Sequence, residues 1–137
     1  MKLKECVRSI GPSSSNERRD IYDLLDPDFP MAEHINVFRF KNQGLMPNVG
    51  GNHWHNASER FLIVAGEMPL LILLDRKTDE KRIWHNLGAG TVITIPGGIA
   101  HANILSSSLI LVGALNRAFD PQDGHPYLLI HPNGELA

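Results

Sequence analysis

The sequence predicts an all-β domain, a two-sheet barrel preceded by a short N-terminal helix or turn. Three observations predict it. Nine prolines and twelve glycines punctuate the 137 residues. Short segments rich in branched and aromatic residues lie between them, the pattern of sandwiches and barrels. The segments number about eight, which is what a double-sheet jelly roll needs.

The elements follow in chain order. Gly11 to Asn16 is a polar loop, and Asn16 is placed to cap a short helix over Glu17–Leu25 that stops before Pro27. Asp26-Pro27-Asp28-Phe29-Pro30 is a rigid turn region. The first clear strand is His34–Phe40, and the glycine- and proline-rich stretch Asn42–Gly51 reads as a loop. Strands are then expected at His53–His55, Arg60–Ala65, Pro69–Asp75, Arg82–His85, Gly90–Ile95, His101–Leu105 and Leu109–Leu115. Asp75–Glu80 is a charged hairpin tip, and Pro96-Gly97-Gly98 turns the chain before His101. Phe38, Phe40, Trp54, Phe61 and Trp84 are expected mostly in the core. Pro121, Pro126 and Pro132 exclude a long helix from the tail.

This divides one structural domain into an N-terminal arm and loop (1–32), a barrel core (33–116) and a tail packed on the barrel (117–137). A chain of this length buries a core without covalent staples. The lone cysteine, Cys6, excludes an internal disulfide. The net charge of -2, with no basic stripe, argues against nucleic acid as a partner. No apolar stretch is long enough to span a bilayer, and the charged start does not read as a signal peptide, so the expected location is the cytoplasm.

His53-Trp54-His55-Asn56-Ala57-Ser58-Glu59 carries the strongest chemical signal. Residues two apart on a strand share a face, so His53 and His55 project together and Trp54 points away. Glu59 joins them if the chain turns at 56–58, and His101 is the candidate fourth ligand. Three imidazoles and a carboxylate suit one divalent transition ion, whether Zn, Fe, Mn, Ni or Cu. Such a set leaves positions for water or substrate, as catalytic sites do.

The two segments fit H-x-H-x(3)-E-x(6)-G, ending at Gly66, and G-x(5)-P-x-G-x(2)-H, from Gly90 to His101. Together they resemble the paired motifs of the cupin superfamily, which implies a double-stranded β-helix, the cupin jelly roll. Two positions depart from that pattern. Pro47 stands where a glycine is usual before the first histidine, and Leu105 where an asparagine follows the last, with Asn103 two residues after His101 instead. Neither departure removes a ligand.

Three further features resemble cupins of nucleotide-sugar and surface-polysaccharide pathways: Gly51–His55, the hairpin Leu74–Arg82, and the tail Asn116-Arg117-Ala118-Phe119-Asp120 through Tyr127. The resemblance implies an epimerase or isomerase acting on a keto-sugar nucleotide or similar small carbohydrate bound inside the barrel. An iron-dependent dioxygenase and a non-enzymatic binding module are the alternatives. If all four ligands bind metal, a base must come from elsewhere, with His34, His85, His125 and Tyr127 as candidates. Arg39, on a stripe with Ile35 and Val37 read as core-facing, and Asn103 are candidates for substrate contact. Arg60 alternates out of phase with Glu59 and is expected to point away from the metal. Apolar residues on both faces of the strands at 60–65 and 109–115 suggest a homodimer.

Overall fold

The computed structural model describes residues 1–137. A single 3-10 turn, Leu3–Glu5, precedes twelve strands: β1 (Val7–Ser9), β2 (Ser14–Ser15), β3 (Asp20–Ile21), β4 (His34–Arg39), β5 (Asn48–Trp54), β6 (Glu59–Ala65), β7 (Glu67–Asp75), β8 (Lys81–Gly88), β9 (Thr91–Ile95), β10 (Ile99–Leu105), β11 (Ile110–Leu115) and β12 (His125–Pro126). One antiparallel sheet runs β1-β9-β6-β11-β4 and the other β12-β5-β10-β7-β8. The eight strands β4 to β11 form the double-stranded β-helix, and β1 and β12 add an edge to each sheet. No helix is long and apolar enough to cross a membrane.

Side-chain alternation explains where the core sits. Leu71 and Leu73 of β7 point between the sheets, where they meet Ile63, Met68, Ile93, Ile95 and Leu111. Leu70, Ile72 and Leu74 point to the opposite face, where the tail covers them with Leu129 and Ile130. The unbroken run Leu70–Leu74 is therefore apolar because both faces of β7 are buried. Gly66 sits at φ +75 in the turn from β6 to β7, and an added Cβ would lie 2.1 Å from the Ser108 carbonyl oxygen, so only glycine fits.

Two sequence expectations are corrected. Residues 17–25 form no helix; Ser14–Ser15 pairs with Asp20–Ile21 in a hairpin. Asn16 does accept from the Arg18 and Arg19 amides, as a helix cap would, but the Ser13 amide then bonds across to Ile21 and closes a turn. The stretch 48–51, read as loop for its glycines, is the first half of β5 and pairs with β10.

The arm and the outer face of the first sheet share one buried charge. Arg60, 1% exposed, donates to Thr94 Oγ1 at 3.0 Å and the Leu24 carbonyl at 3.2 Å, and pairs with Asp26 at 2.8 Å. Its guanidinium lies 5.4 Å from the Phe29 ring centroid. It points away from the barrel interior, as its phase in β6 requires.

Candidate metal centre and cavity

His53 on β5 and His101 on β10 face each other directly across the strand pair. Gly51 makes that approach close: it sits at φ +75, and a Cβ there would lie 2.7 Å from the His101 carbonyl oxygen. His55 follows β5, and Glu59 opens β6 after a turn. The ring centroids of His53 lie 4.3 Å from His55 and 4.7 Å from His101. One potential ligand atom from each of the three histidines falls within 4.8 Å of the others. Glu59 Oε1 stands 3.4 Å from His55 Nε2 and 3.2 Å from His101 Nε2. All four side chains line one cavity of about 330 Å³ between the sheets.

The protonation pattern follows from the hydrogen bonds. His55 Nδ1 lies 2.6 Å from the Asp123 carbonyl oxygen, which only accepts, so Nδ1 carries the proton. His101 Nδ1 is held similarly by the Ile99 carbonyl at 3.2 Å. In the neutral rings both Nε2 atoms turn lone pairs toward Glu59 Oε1, a buried oxygen with no hydrogen-bond partner. Burial would raise the Glu59 carboxyl, but a hydrogen bond from His101 and the positive charge that His101, His55 and His53 bring when protonated outweigh it and hold the group below its ordinary value. Burial first, and then the neighbouring His101 and His55, push His53 down to about 4, so it is neutral at pH 7 with a lone pair to offer. Lone pairs and a carboxylate converging on one point repel unless a cation sits among them. The donor set therefore fits a divalent transition ion.

The tail holds this segment from both sides, which periodicity did not reveal. Asn52, just before His53, accepts from the Leu129 and Ile130 amides through Oδ1 and donates to the Ile130 carbonyl through Nδ2. Just beyond His55, the Asp123 carboxylate accepts from the Asn56 amide at 2.8 Å, Asn56 Nδ2 at 2.9 Å and the Ala57 amide at 3.0 Å. Burial would raise the Asp123 carboxyl, but these donors prevail and hold it at about 2. Trp54, pointing outward between the histidines, is stacked on His125 at 4.0 Å and covered by Arg76 at 3.7 Å.

The other candidates divide cleanly. Asn103 follows His101 by two residues on β10 and lines the cavity, and Leu105, on the same face, also lines it. Arg39 does not: β4 turns Asn36 and Phe38 inward and leaves Ile35, Val37 and Arg39 exposed. Ile35 and Val37 face out, which inverts the phase expected of them. His85 is exposed on β8, His125 stacks on the outer side of Trp54, and Tyr127 packs on the outer apolar cluster. His34 packs on Phe119 at 5.7 Å and lies outside the lining. None of these four reaches the cavity. Phe38, Phe40 and Phe61 form part of its wall, Trp84 packs against the inner core and Trp54 against the outer one. Asp120, which the sequence marked only as part of the tail resemblance and gave no role, lines the cavity beside Phe119 and Asp123.

Comparison with known proteins places the architecture. No family model and no curated protein matches the chain. Among solved structures, WlaRA, a TDP-fucose-3,4-ketoisomerase from Campylobacter jejuni, superposes with a TM-score of 0.66 at 17% identity, over 86% of this chain and 85% of its own. QdtA, a sugar 3,4-ketoisomerase from Thermoanaerobacterium thermosaccharolyticum solved with TDP, gives 0.68 at 13%, over 87% and 86%. CapF, a capsular polysaccharide assembling protein from Staphylococcus aureus, gives 0.51 at 25%, over 68% of this chain but only 25% of CapF. The chain has the cupin fold.

Proposed function

We propose that this chain is a divalent-metal-dependent isomerase or epimerase of a keto-sugar, nucleotide-linked or free. The observation that carries the reading is the convergence of three imidazoles on a buried carboxylate oxygen without a donor, inside a ligand-sized cavity. The sugar ketoisomerases that share the fold support the choice of reaction.

His53, His55, Glu59 and His101 would hold the ion. Bound there, it would supply Lewis-acid polarisation of a ketone oxygen. Moving the adjacent proton then requires a base. Apart from those four residues and Asp123, whose carboxylate is occupied by Asn56 and Ala57, Asp120 is the titratable group of the lining. Its Oδ1 accepts from the Gln122 amide at 2.9 Å, leaving Oδ2 to receive a substrate proton. Phe38, Phe40 and Phe61 keep water from the reacting carbon. Metal analysis should find about one equivalent of a transition ion per chain. The loaded protein should exchange solvent deuterium into the carbon next to a keto-sugar's carbonyl, and Asp120→Asn should slow that exchange at least ~100-fold, the scale of a lost general base. Oxygen consumption on Fe(II) loading, without exchange, would assign the dioxygenase chemistry instead.

We also infer a homodimer formed through the outer face of the first sheet. Ile35 and Val37 on β4 and Val64 on β6 are 60%, 68% and 45% exposed there. Val37 pairs with Val112, which pairs in turn with Leu62, a row of apolar side chains across three strands. Sedimentation should show a dimer at micromolar concentration that Val37→Lys dissociates.

A further inference from the structure

The charges of the cavity argue about what it admits. Its lining contains no lysine or arginine, and its acidic groups are Glu59, Asp120 and Asp123. Even with a divalent ion on the histidines, these three carboxylates outweigh its two charges, so a phosphate inside would add negative charge to a net negative, low-dielectric space with no cationic side chain to pair it. The volume, about 330 Å³, is at the small end of ligand cavities, which run from roughly 300 Å³ to 1,000 Å³. That is room for one ring, not for a nucleoside diphosphate and a sugar together.

A second unpartnered group points to the polar feature of the ligand. Asn103 Oδ1 is buried in the cavity wall with no hydrogen-bond partner. Gly50 makes space for it: a Cβ at that position would lie 2.6 Å from the oxygen. That oxygen is too enclosed for a ligand hydroxyl to touch, so Nδ2, which has no partner either, is the end of the amide offered to the cavity, a donor that a ligand oxygen would satisfy. Asn103 and His101 share a face two residues apart on β10, a separation of roughly 6.5 Å that a single ring spans. The wall around them is apolar, with Phe38 and Phe40 stacked at 6.2 Å and Phe61 edge-on at 5.9 Å.

We propose that the cavity takes an uncharged, hydroxyl-poor, single-ring hydroxyketone, its ketone at the histidine cluster and its hydroxyl accepting from Asn103 Nδ2, and that phosphate groups are not accommodated within it. The proposal rests on the isomerase reading of the same site and narrows its substrate class.

The test titrates the Co(II)-loaded full chain with 2-hydroxycyclohexanone and, separately, with thymidine diphosphate, following the visible Co(II) spectrum and protein amide signals by NMR. The hydroxyketone should change the spectrum saturably and thymidine diphosphate should neither do so nor compete. Asn103→Leu should weaken hydroxyketone binding at least fivefold while the starting Co(II) spectrum stays that of the parent chain. Displacement of the hydroxyketone by thymidine diphosphate on the unmodified protein would overturn the proposal, as would equal affinity in Asn103→Leu. Failure to take up Co(II) would instead reject the metal reading, and the same titrations followed on the amide signals would still decide the ligand class.

Discussion

Asp123→Ala is the most informative perturbation, because Asp123 touches the site without being one of its four converging side chains. Three hydrogen bonds to its carboxylate disappear, from the Asn56 amide, Asn56 Nδ2 and the Ala57 amide. Each charge-assisted bond is worth about 1.5–3 kcal/mol in isolation. Asn56 is exposed, so water replaces much of what is lost, and a net of about 2 kcal/mol for the segment is reasonable. The His55 Nδ1 contact to the Asp123 carbonyl survives the substitution in principle but loses its anchor. If that energy fixes His55 for coordination, removing it lowers metal affinity by about 30-fold, since each 1.4 kcal/mol is a factor of ten. That falls in the ~10–100-fold range seen when groups behind a ligand are removed. Competition against a chromophoric chelator measures the affinity, and urea unfolding of the metal-free protein confirms that the variant folds. Asp123→Asn, which keeps one carboxamide oxygen as acceptor, should fall between the two. A folded Asp123→Ala protein that binds metal within twofold of the parent would refute the reasoning.

Three other outcomes are expected. The metal-free protein should lose stability as pH falls from 6.5 toward 4, because the unfolded chain takes up a proton that His53, at about 4 in the fold, refuses. The depressed carboxyls of Glu59 and Asp123 act with the same sign, stabilising above their unfolded values and losing that contribution as acid protonates them; urea midpoints at pH 7 and pH 5 should differ less in His53→Asn than in the parent. Asp26→Ala should cost about 2 kcal/mol in urea unfolding by stranding the buried Arg60 charge, whereas Arg60→Met, which removes the charge itself, should cost less. Gly51→Ala should destabilise by roughly 3 kcal/mol and abolish tight metal binding, because its Cβ meets the His101 backbone and forces β5 from β10.

The convergence of His53, His55 and His101 was legible because it depends on local spacing. Two residues along a strand return to the same face, so His53 and His55 announce themselves, and the turn at Pro96–Gly98 flags His101. The eight barrel strands were legible for the same reason, apart from residues 48–51, whose glycines look like loop but serve the close approach to β10, while the two- and three-residue strands β1, β2, β3 and β12 are too short to leave a pattern. Arg39 was misplaced because alternation reports a period and not which phase faces in. Ile35 and Val37 point outward while Asn36 lines the cavity. The expected helix at 17–25 failed because an asparagine side chain bonding two and three residues on caps a helix and closes a turn equally well. Asp120 and Asp123 stood out only as members of the tail motif; their places exist only when the tail lies against β5, and no short-range pattern encodes that.

The grip of the tail on the histidine segment also has a temporal meaning. Asp123 lies 67 positions after Asn56, and Leu129 77 positions after Asn52. During synthesis His53 and His55 leave the ribosome long before the groups that orient them. An ion met at that stage finds only a floppy pair of imidazoles, which binds weakly and lets go. On the proposed metal reading, selective loading would be acquired when the last strand and the tail dock, after the barrel has folded rather than while it folds.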